Sequence, residues 1–263
     1  MGCYNVLMSV ILKTKEEVEI LREGGRRLAE ILAKIADSVS SGMSTKELDD
    51  LAMMLIEEYG DKPAFLNYTP EGVSYPYPAA LCVSINDEIV HGIPNDEVII
   101  QEGDVVTVDL GLIHEGLYTD HAITVAVGKV KKEYLDLIYA TRESLSRAIE
   151  AAKPGNYTGD IGYAVESYAK EKGYKVVRGL SGHGVGKKVH EDPYVPNYGR
   201  PGTGVLLEVG MVIAIEPMLT IGSEEIAVLD DEYTYVTYDG SMSAHFEHTV
   251  YIGEDGPEIL TQA

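Results

Sequence analysis

An internal repeat is the feature of this sequence that most limits how the chain can fold. Two helical patterns followed by a group of strand patterns occur in the first half and again in the second half. Glycines 18 residues apart flank the second helix of each copy, Gly42 and Gly60 in the first and Gly155 and Gly173 in the second. Repeated units of helices and strands bury their apolar faces against each other. We therefore expect an α/β (α+β) protein of two pseudo-symmetric halves, with a site where the halves meet.

Capping signals and apolar periodicity predict four helices. The capping-box pattern, Ser or Thr followed three residues later by Glu, occurs at 14–17 and 44–47. The second helix should end near Gly60, and helical patterns return at 133–152 and 158–173. The first helix carries apolar residues at the spacing of an amphipathic helix, namely Val18, Leu21, Leu28, Leu32, Ile35 and Val39.

Short β-rich runs predict strands, and two of their patterns are repeated. Segments 103–109 and 210–216 both read glycine, one residue, four mainly apolar residues and a carboxylate. Asp120-His121 and Glu247-His248 each lead into an apolar run. Four prolines within residues 61–78 predict that this segment has no regular structure. The predicted strands include Val105–Leu110, Ala122–Val127, Met211–Glu216, Tyr233–Tyr238 and Thr249–Ile252.

Four carboxylates at related positions of the two copies indicate a metal site. Glu216 follows four apolar residues and precedes a proline, so we expect it to be at least partly buried. Carboxylates at close range repel one another, and bound divalent cations relieve that repulsion. Oxygen-rich ligand sets suit hard or borderline ions such as Mn²⁺, Fe²⁺ or Co²⁺. The alternative is that each residue is an ordinary hydrogen-bonded residue at a strand end. The four are Asp109, Asp120, Glu216 and Glu247.

Three histidines lie in motifs that would complete such a site. His183 stands between Gly182 and Gly184, and glycines let a ligand approach the backbone closely. His91 and His190 are candidate hydrogen-bond donors to a substrate carbonyl if they face a metal cleft. Taken singly, His183 could belong to a simple glycine-rich turn, and the other two could be surface histidines.

Charge and composition exclude several classes of function. The 263 residues contain 21 Lys and Arg against 43 Asp and Glu, and this net charge of −22 repels a nucleic-acid backbone. No apolar run reaches the roughly 20 residues that span a bilayer. Two cysteines, Cys3 and Cys82, are too few for a disulfide framework and fit a reducing cytosol. We expect a cytoplasmic protein with no membrane and no sequence-specific nucleic-acid partner.

An ordered set of motifs resembles the type I methionine aminopeptidases over residues 14–261. The set reads His91-Gly92-Ile93-Pro94, Val108-Asp109 with Tyr118-Thr119-Asp120, Gly182-His183-Gly184-Val185-Gly186, Ile215-Glu216-Pro217-Met218 and Ser243-Ala244-His245-Phe246-Glu247-His248-Thr249. The resemblance implies the pseudo-twofold pita-bread fold, a curved antiparallel sheet flanked by two helix pairs. It further implies an N-terminal extension at 1–13 and a single catalytic domain at 14–263, with halves of about 14–128 and 129–253.

The same resemblance implies metal-dependent hydrolysis of the initiator methionine from nascent polypeptides whose second residue is small and uncharged. Two divalent metal ions, Co, Mn, Fe or Zn, would be the cofactors. Glu216 would handle the proton of the attacking water, His190 would polarise the scissile carbonyl, and His91 would contact the scissile amide. The implied metal ligands are Asp109, Asp120, His183, Glu216 and Glu247, with Asp120 and Glu247 bridging the ions.

The implied methionine pocket departs from the family pattern. Many relatives carry Trp in place of Tyr233 and Phe in place of Val189, and the loop at 69–75 is longer than usual. These departures leave the side-chain preference of the pocket open. Besides the two substrate-contacting histidines, His91 and His190, the pocket would be formed by Phe65, Tyr68, Tyr77, Cys82 and Tyr233.

Partners and rival functions follow from the same resemblance. It implies a monomer that acts on the N-termini of nascent chains during a transient association with the ribosome. A broader-specificity aminopeptidase or an Xaa-Pro enzyme on the same fold is one rival, although prolidases carry a large extra N-terminal domain. Type II methionine aminopeptidases carry a helical insertion, which we do not find between Gly186 and Glu216. The remaining rivals are a non-catalytic peptide-binding module and a structural protein with an incidental acidic cluster.

Overall fold

Four helices form in two pairs, as the capping and periodicity predict. The computed structural model describes residues 10–70 and 72–263, so most of the predicted N-terminal extension, with Cys3, lies outside the described residues. Both capping boxes are present, and Gly60 ends the second helix with a φ of 73°. In the described part of the chain, no helix is long and apolar enough to cross a bilayer. The helices are α1 (Lys15–Ser38), α2 (Thr45–Tyr59), α3 (Lys132–Ala151) and α4 (Thr158–Lys172).

One large antiparallel sheet is the framework on which these helices pack. The strands are β1 (Lys62–Pro63), β2 (Leu81–Ile85), β3 (Glu88–Val90), β4 (Val105–His114), β5 (Leu117–Ala126), β6 (Lys175–Val176), β7 (Ser181–Gly184), β8 (Glu191–Pro196), β9 (Val212–Ile215), β10 (Met218–Thr220), β11 (Ile226–Val228), β12 (Tyr235–Thr237), β13 (Ser243–His245), β14 (Glu247–Gly253) and β15 (Gly256–Ile259). The large sheet has the order β1-β4-β5-β14-β9-β7-β8, with β2 beside β4 and β15 beside β14. Two small sheets, β13-β10-β6 and β11-β12-β3, complete the fold.

The observed strands differ from the predicted ones mainly in length and number. The hairpin strands β4 and β5 are longer than predicted, because their pairing continues beyond Leu110 and Ala122 to the turn at Glu115 and Gly116. The expectation of no regular structure for 61–78 is wrong at Lys62–Pro63, which pairs with Ile113 and Leu112. Strands β7 and β8 were not predicted, since their glycines, prolines and charged residues carry no strand pattern.

The pseudo-twofold relation of the two halves is visible at the centre of the sheet. Strand β5 pairs with β14, and His121 faces His248 across this junction. These are the histidines of the repeated Asp-His and Glu-His pairs. The equivalent glycines at the start of the other repeated motif, Gly103 and Gly210, have φ values of 96° and 101°. The sequence repeat is therefore repeated in backbone conformation.

Each half buries its own apolar core between a helix pair and the large sheet. In the second half, α3 and α4 pack on β9 and β14. Ile123 of β5 touches both cores and so joins the two halves. In the first half, the core contains Leu28, Leu32, Ile35, Leu48, Ile56, Val106, Val108 and Leu110.

Helix α1 approaches the end of the chain closely at Gly25. A Cβ atom at this position would lie 2.4 Å from the backbone oxygen of Leu260. Backbone atoms cannot move away as a flexible side chain does, so a glycine is required by packing rather than by conformation.

We expect Gly25→Ala to destabilise the fold although alanine is the better helix former. The helical preference would contribute about 1 kcal/mol in favour of alanine, whereas overpacking costs about 1–3 kcal/mol. Urea unfolding of the variant measures the difference. Exposed Ala33 in the same helix supplies the control, since Ala33→Gly should lose about 0.5–1 kcal/mol through backbone freedom alone. A Gly25→Ala protein as stable as the wild type would contradict the proposed close packing.

Candidate metal centre

Strand alternation turns acidic side chains away from the helices. In β4, Val108 and Leu110 pack into the core under α1 and α2, so Asp109 between them points to the opposite face of the sheet. Asp109 pairs with Ala122 of β5, and Ala122 pairs with Glu247 of β14. Paired residues share a face of an antiparallel sheet, so Asp109 and Glu247 lie on the same face.

Asp120, Glu216 and His183 reach that face from three further positions. Asp120 stands two residues before Ala122 in β5 and therefore has the same orientation. Glu216 directly follows β9, whose last residue pairs with the neighbour of Glu247. In β7, Gly184 pairs with a core-facing residue of β9, which directs His183 to the acidic face. The register thus gathers five potential ligands from four strands and one strand end.

Burial raises the pKa of all four carboxyl groups. It raises the pKa of Asp109 to about 7 and the pKa values of Asp120, Glu216 and Glu247 well above their ordinary range. Mutual repulsion adds to this effect, because the charge of Asp109 disfavours ionisation of the other three. The cluster therefore retains protons near neutral pH unless a cation compensates its charge.

The donor set fits divalent cations. Asp109 Oδ1 and Glu247 Oε1 are buried and have no hydrogen-bond partner among the described residues. Asp120, His183 and Glu247 each offer one ligand atom, and these three atoms lie within 4.8 Å of one another. Unpaired lone pairs at such close range on buried groups are unfavourable without a positive charge between them. Carboxylate oxygens with one imidazole form the borderline-hard set that binds first-row divalent ions.

His183 is held in the tautomer that a metal ligand needs. Its Nδ1 lies 2.9 Å from the carbonyl oxygen of Gly184, to which it donates its proton, so Nε2 carries the free lone pair. Burial, followed by the nearby His190, lowers the pKa of His183 to about 3, so the ring is neutral. Its Nε2 lies 3.4 Å from Glu216 Oε1. Two acceptor atoms that face each other at this distance require a proton or a cation between them.

Two more of the predicted histidines stand at the edge of this cluster as neutral rings. Burial, followed by the charge of His190, lowers the pKa of His91 to about 4, and burial lowers that of His190 to about 4. The His190 ring lies edge-on to His183, with centroids 4.4 Å apart. The Tyr68 hydroxyl lies 2.8 Å from His190 Nδ1, and burial raises the pKa of Tyr68 so that it stays protonated. Both histidines can therefore donate hydrogen bonds without carrying charge.

One inner pocket of about 90 Å³ collects every site residue predicted from the sequence. It opens beside a larger outer cleft of about 730 Å³, which shares part of the inner lining and extends along β7 and β8. The lining combines the metal-ligand candidates with apolar and aromatic side chains, and Cys82 of β2 pairs directly with Asp109 of β4. The predicted residues in the lining are Phe65, Tyr68, Tyr77, Cys82, His91, Asp109, Asp120, His183, His190, Glu216, Tyr233 and Glu247.

The segment at 74–75 is attached to Tyr233 and its neighbours by hydrogen bonds. The Tyr233 hydroxyl donates to the carbonyl of Tyr75 at 2.5 Å, and the Tyr75 hydroxyl donates to the carbonyl of Asp231 at 2.5 Å. Ser74 donates its backbone N–H and its hydroxyl to the Glu232 carboxylate, at 2.8 and 2.9 Å. These bonds restrain Tyr233, which lines the inner pocket.

Sequence reasoning missed two residues of this region. Pro70 lines the inner pocket, but its place depends on the course of an irregular loop. His245 is 1% exposed, neither ring nitrogen has a hydrogen-bond partner among the described residues, and Nε2 lies 3.7 Å from Glu216 Oε2. Its spacing of two residues from Glu247 is a signal that could have placed it on the acidic face.

Comparison with known proteins gives concordant results. Residues 19–254 match the family described as metallopeptidase family M24. A protein named methionine aminopeptidase from Aquifex aeolicus is 48% identical over 257 residues, which cover 97% of this chain and 100% of the relative.

Solved structures give the same picture. The crystal structure of a methionine aminopeptidase from Thermotoga maritima superposes with a TM-score of 0.93 at 41% identity, covering 97% of this chain and 100% of that one. A prolidase from Pyrococcus furiosus superposes with a TM-score of 0.77 at 25% identity, and the match covers 96% of this chain but 66% of the prolidase. The architecture is thus the curved pita-bread sheet with four helices.

We expect divalent metal binding to release protons from the carboxyl cluster at pH 7. Burial raises the pKa values of Asp109, Asp120, Glu216 and Glu247, so these groups are partly protonated without metal, whereas His183 is already neutral. Metal ligands must be deprotonated, so the apparent affinity should rise with pH. Titration calorimetry with Mn²⁺ in buffers of different ionisation enthalpy measures the released protons. A heat independent of buffer would contradict the raised pKa values.

Proposed function

The chain belongs to metallopeptidase family M24, among its methionine aminopeptidases, and we propose that it removes the N-terminal methionine from nascent proteins whose second residue is small and uncharged. One observation carries the proposal: a single pocket is lined both by the carboxylate–imidazole cluster and by Phe65, Tyr77 and Cys82. Such a pocket suits a peptide whose first side chain is unbranched and apolar. Hydrolysis of a terminal peptide bond beside a metal cluster is the chemistry that this arrangement supports.

Five residues would hold the metal ions: Asp109, Asp120, His183, Glu216 and Glu247. Divalent ions bound there would act as Lewis acids and would lower the pKa of an attacking water molecule. The orphaned oxygens of Asp109 and Glu247 support this assignment. We propose two ions, chosen from Co, Mn, Fe and Zn, because four carboxylates carry four negative charges and two divalent ions balance them.

Glu216 is proposed as the group that moves the proton. It lies at the meeting point of the cluster with the two histidines, 3.4 Å from His183 and 3.7 Å from His245. Once the cluster charge is compensated, the Glu216 carboxylate takes a proton from the attacking water and returns it to the amine that leaves. The backbone carbonyl of Glu216 accepts a hydrogen bond from the Asn197 side chain at 2.8 Å, which holds the residue in place.

His190 is proposed as the donor that stabilises the developing oxyanion. If the Tyr68 hydroxyl donates to Nδ1 of His190, the imidazole proton stands on Nε2, free to donate to the scissile carbonyl. A neutral imidazole can do this because it keeps one N–H donor while its other ring nitrogen accepts from Tyr68. His91, which lines both the inner pocket and the outer cleft, is proposed to contact the scissile amide.

Specificity for the first and second residues of the substrate is proposed to arise from the pocket lining and from the rim of the pocket. The methionine side chain would lie between Phe65, Tyr77 and Cys82, and the amino terminus would lie at the cluster, which limits cleavage to the first residue. The second residue would meet the crowded rim formed by His91 and His190, so large side chains would be excluded.

The organisation and setting of the enzyme are proposed as well. We propose an extension at 1–13 and one catalytic domain at 14–263 with halves of about 14–128 and 129–253. A monomeric state, a cytoplasmic location and a transient association with the ribosome stay predictions of the family resemblance. The nascent polypeptide N-terminus is the partner that the proposed activity requires.

We expect release of methionine from Met-Ala-Ser to be much faster than from Met-Lys-Ser. Each additional methylene group that does not fit a crowded site lowers kcat/KM by about 10–200-fold. N-acetylated Met-Ala-Ser should not be cleaved, since it has no free amine. Chromatographic assay of free methionine with Mn²⁺-loaded protein makes the measurement.

The same assay distinguishes the rival functions. Equal rates on Met-Ala-Ser and Met-Lys-Ser would indicate a broader-specificity aminopeptidase, and preferred cleavage before proline would indicate an Xaa-Pro enzyme. Peptide binding without release of methionine by metal-loaded protein would indicate a non-catalytic module.

We expect His190→Ala to lower kcat by about 10²–10³-fold, as for the loss of one oxyanion donor. The metal content should stay at the wild-type level, because His190 is not among the proposed ligands. Steady-state kinetics and elemental analysis of the same sample test both statements. A loss of metal together with activity would show that the roles of His183 and His190 had been exchanged.

A further inference from the structure

The segment that precedes α1 reaches the turn that carries His190. Lys13 Nζ lies 2.6 Å from Glu191 Oε2, and the two side chains are 1% and 2% exposed. The same ammonium donates to the carbonyl of Ile11 at 3.0 Å, and Ile11 lines the outer cleft. Because Glu191 directly follows His190, this buried ion pair joins the N-terminal segment to the catalytic rim.

Glu191 organises the turn in front of His190. Its Oε1 accepts the backbone N–H groups of Lys187 at 2.5 Å and Lys188 at 2.9 Å. One carboxylate therefore closes the turn with one oxygen and binds Lys13 with the other. The backbone at His190 is held between these attachments.

The turn also packs tightly on the Lys13 side chain. A Cβ atom at Gly186 would lie 2.3 Å from Lys13 Cε, and Gly186 has a φ of 140°. The backbone N–H of Lys13 donates to the carbonyl of Gly210 at 2.7 Å, which fixes the segment on the body of the protein. Lys13 thus presents a rigid surface to the turn rather than a mobile one.

A second ion pair on this turn is exposed and cannot replace the first. Lys187 Nζ lies 2.8 Å from Glu17 Oε1, but their side chains are 48% and 22% exposed. Solvent and salt screen such a pair, and its contribution is small. A buried pair behaves differently, since removal of one partner leaves an uncompensated charge and forces the site to rearrange.

We infer that Lys13 is a positioning residue for His190, acting through Glu191 and the turn at 186–191. The inference rests on the proposed function, in which His190 donates to the scissile carbonyl. The ring of His190 must keep its place relative to Tyr68 and His183, and a displacement of about 1 Å at such a group can lower the rate by about 10²-fold. A residue outside the pocket, in the segment that precedes the first helix, then sets kcat.

The test is the kinetic coupling of Lys13 with His190. Lys13→Met should lower kcat on Met-Ala-Ser by about 10–100-fold, with KM and metal content close to the wild type. In the His190→Ala background, Lys13→Met should cause no further loss, because its target is already absent. Exposed Lys15 supplies the matched control, and Lys15→Met should leave kcat unchanged.

If Lys13→Met fails to fold, the same kinetic experiment is done with Glu191→Gln. It removes the charge opposite Lys13 and should show the same loss of kcat and the same absence of further loss with His190→Ala. Wild-type kcat in a folded Lys13→Met or Glu191→Gln protein, or losses that multiply with that of His190→Ala, would overturn the inference.

Amide exchange separates this inference from the proposed function. In metal-free protein, NMR exchange of the Lys187 and Lys188 amides should accelerate in Lys13→Met but not in Lys15→Met. Unchanged exchange would overturn the positioning role. A wild-type protein that releases no methionine from Met-Ala-Ser would instead refute the proposed function, whatever the amides do.

Discussion

The mutual repulsion of four buried carboxyl groups is the constraint on which the rest of this structure depends. Two unit charges about 4 Å apart repel by roughly 4 kcal/mol at an effective dielectric constant of about 20, and a whole domain is stable by only about 5–15 kcal/mol. The protein therefore holds protons on the cluster or needs cations. Burial raises the pKa values of these groups, which favours their protonation in the absence of a cation. The unpaired oxygens of Asp109 and Glu247 are available to bind a cation.

The large sheet makes this cluster possible because its register is fixed by the two apolar cores. Core-facing residues of β4, β5, β9 and β14 pack under the helices, so the alternate residues must share the opposite face. A slip of one residue in any strand would bury the carboxylates among the helices. The candidate ligands are thus held by the same packing that stabilises the fold, which suits a site that must keep its geometry.

Two less regular parts of the chain near the pocket are restrained by specific polar contacts. The segment at 74–75 is tied to 231–233 by hydroxyl and carboxylate hydrogen bonds, and the turn at 186–191 is tied to Lys13. Loops placed on a rigid sheet commonly carry function. Here each loop is restrained by a specific polar contact, while the apolar cluster of Phe65, Tyr77, Cys82 and Tyr233 also lines the pocket.

The sequence by itself determined the helices, the repeat and the set of pocket residues. Capping boxes and apolar spacing are local signals, so α1 and α2 begin where predicted. The Asp-His and Glu-His pairs repeat because the halves repeat, and His121 accordingly faces His248. The family resemblance implied twelve site residues, and all twelve line one pocket together with Pro70, which it did not include.

Only the tertiary structure decided the features that depend on long-range contacts. Strands β7 and β8 form because β7 pairs with both β8 and β9, although the sequences of β7 and β8 have no strand pattern. His245 reaches Glu216 through the pairing of β13 with β10. The Lys13–Glu191 pair joins residues 178 positions apart. No local sequence pattern predicts a pair so far apart, because neither residue alone indicates that it is buried or which residue is its partner.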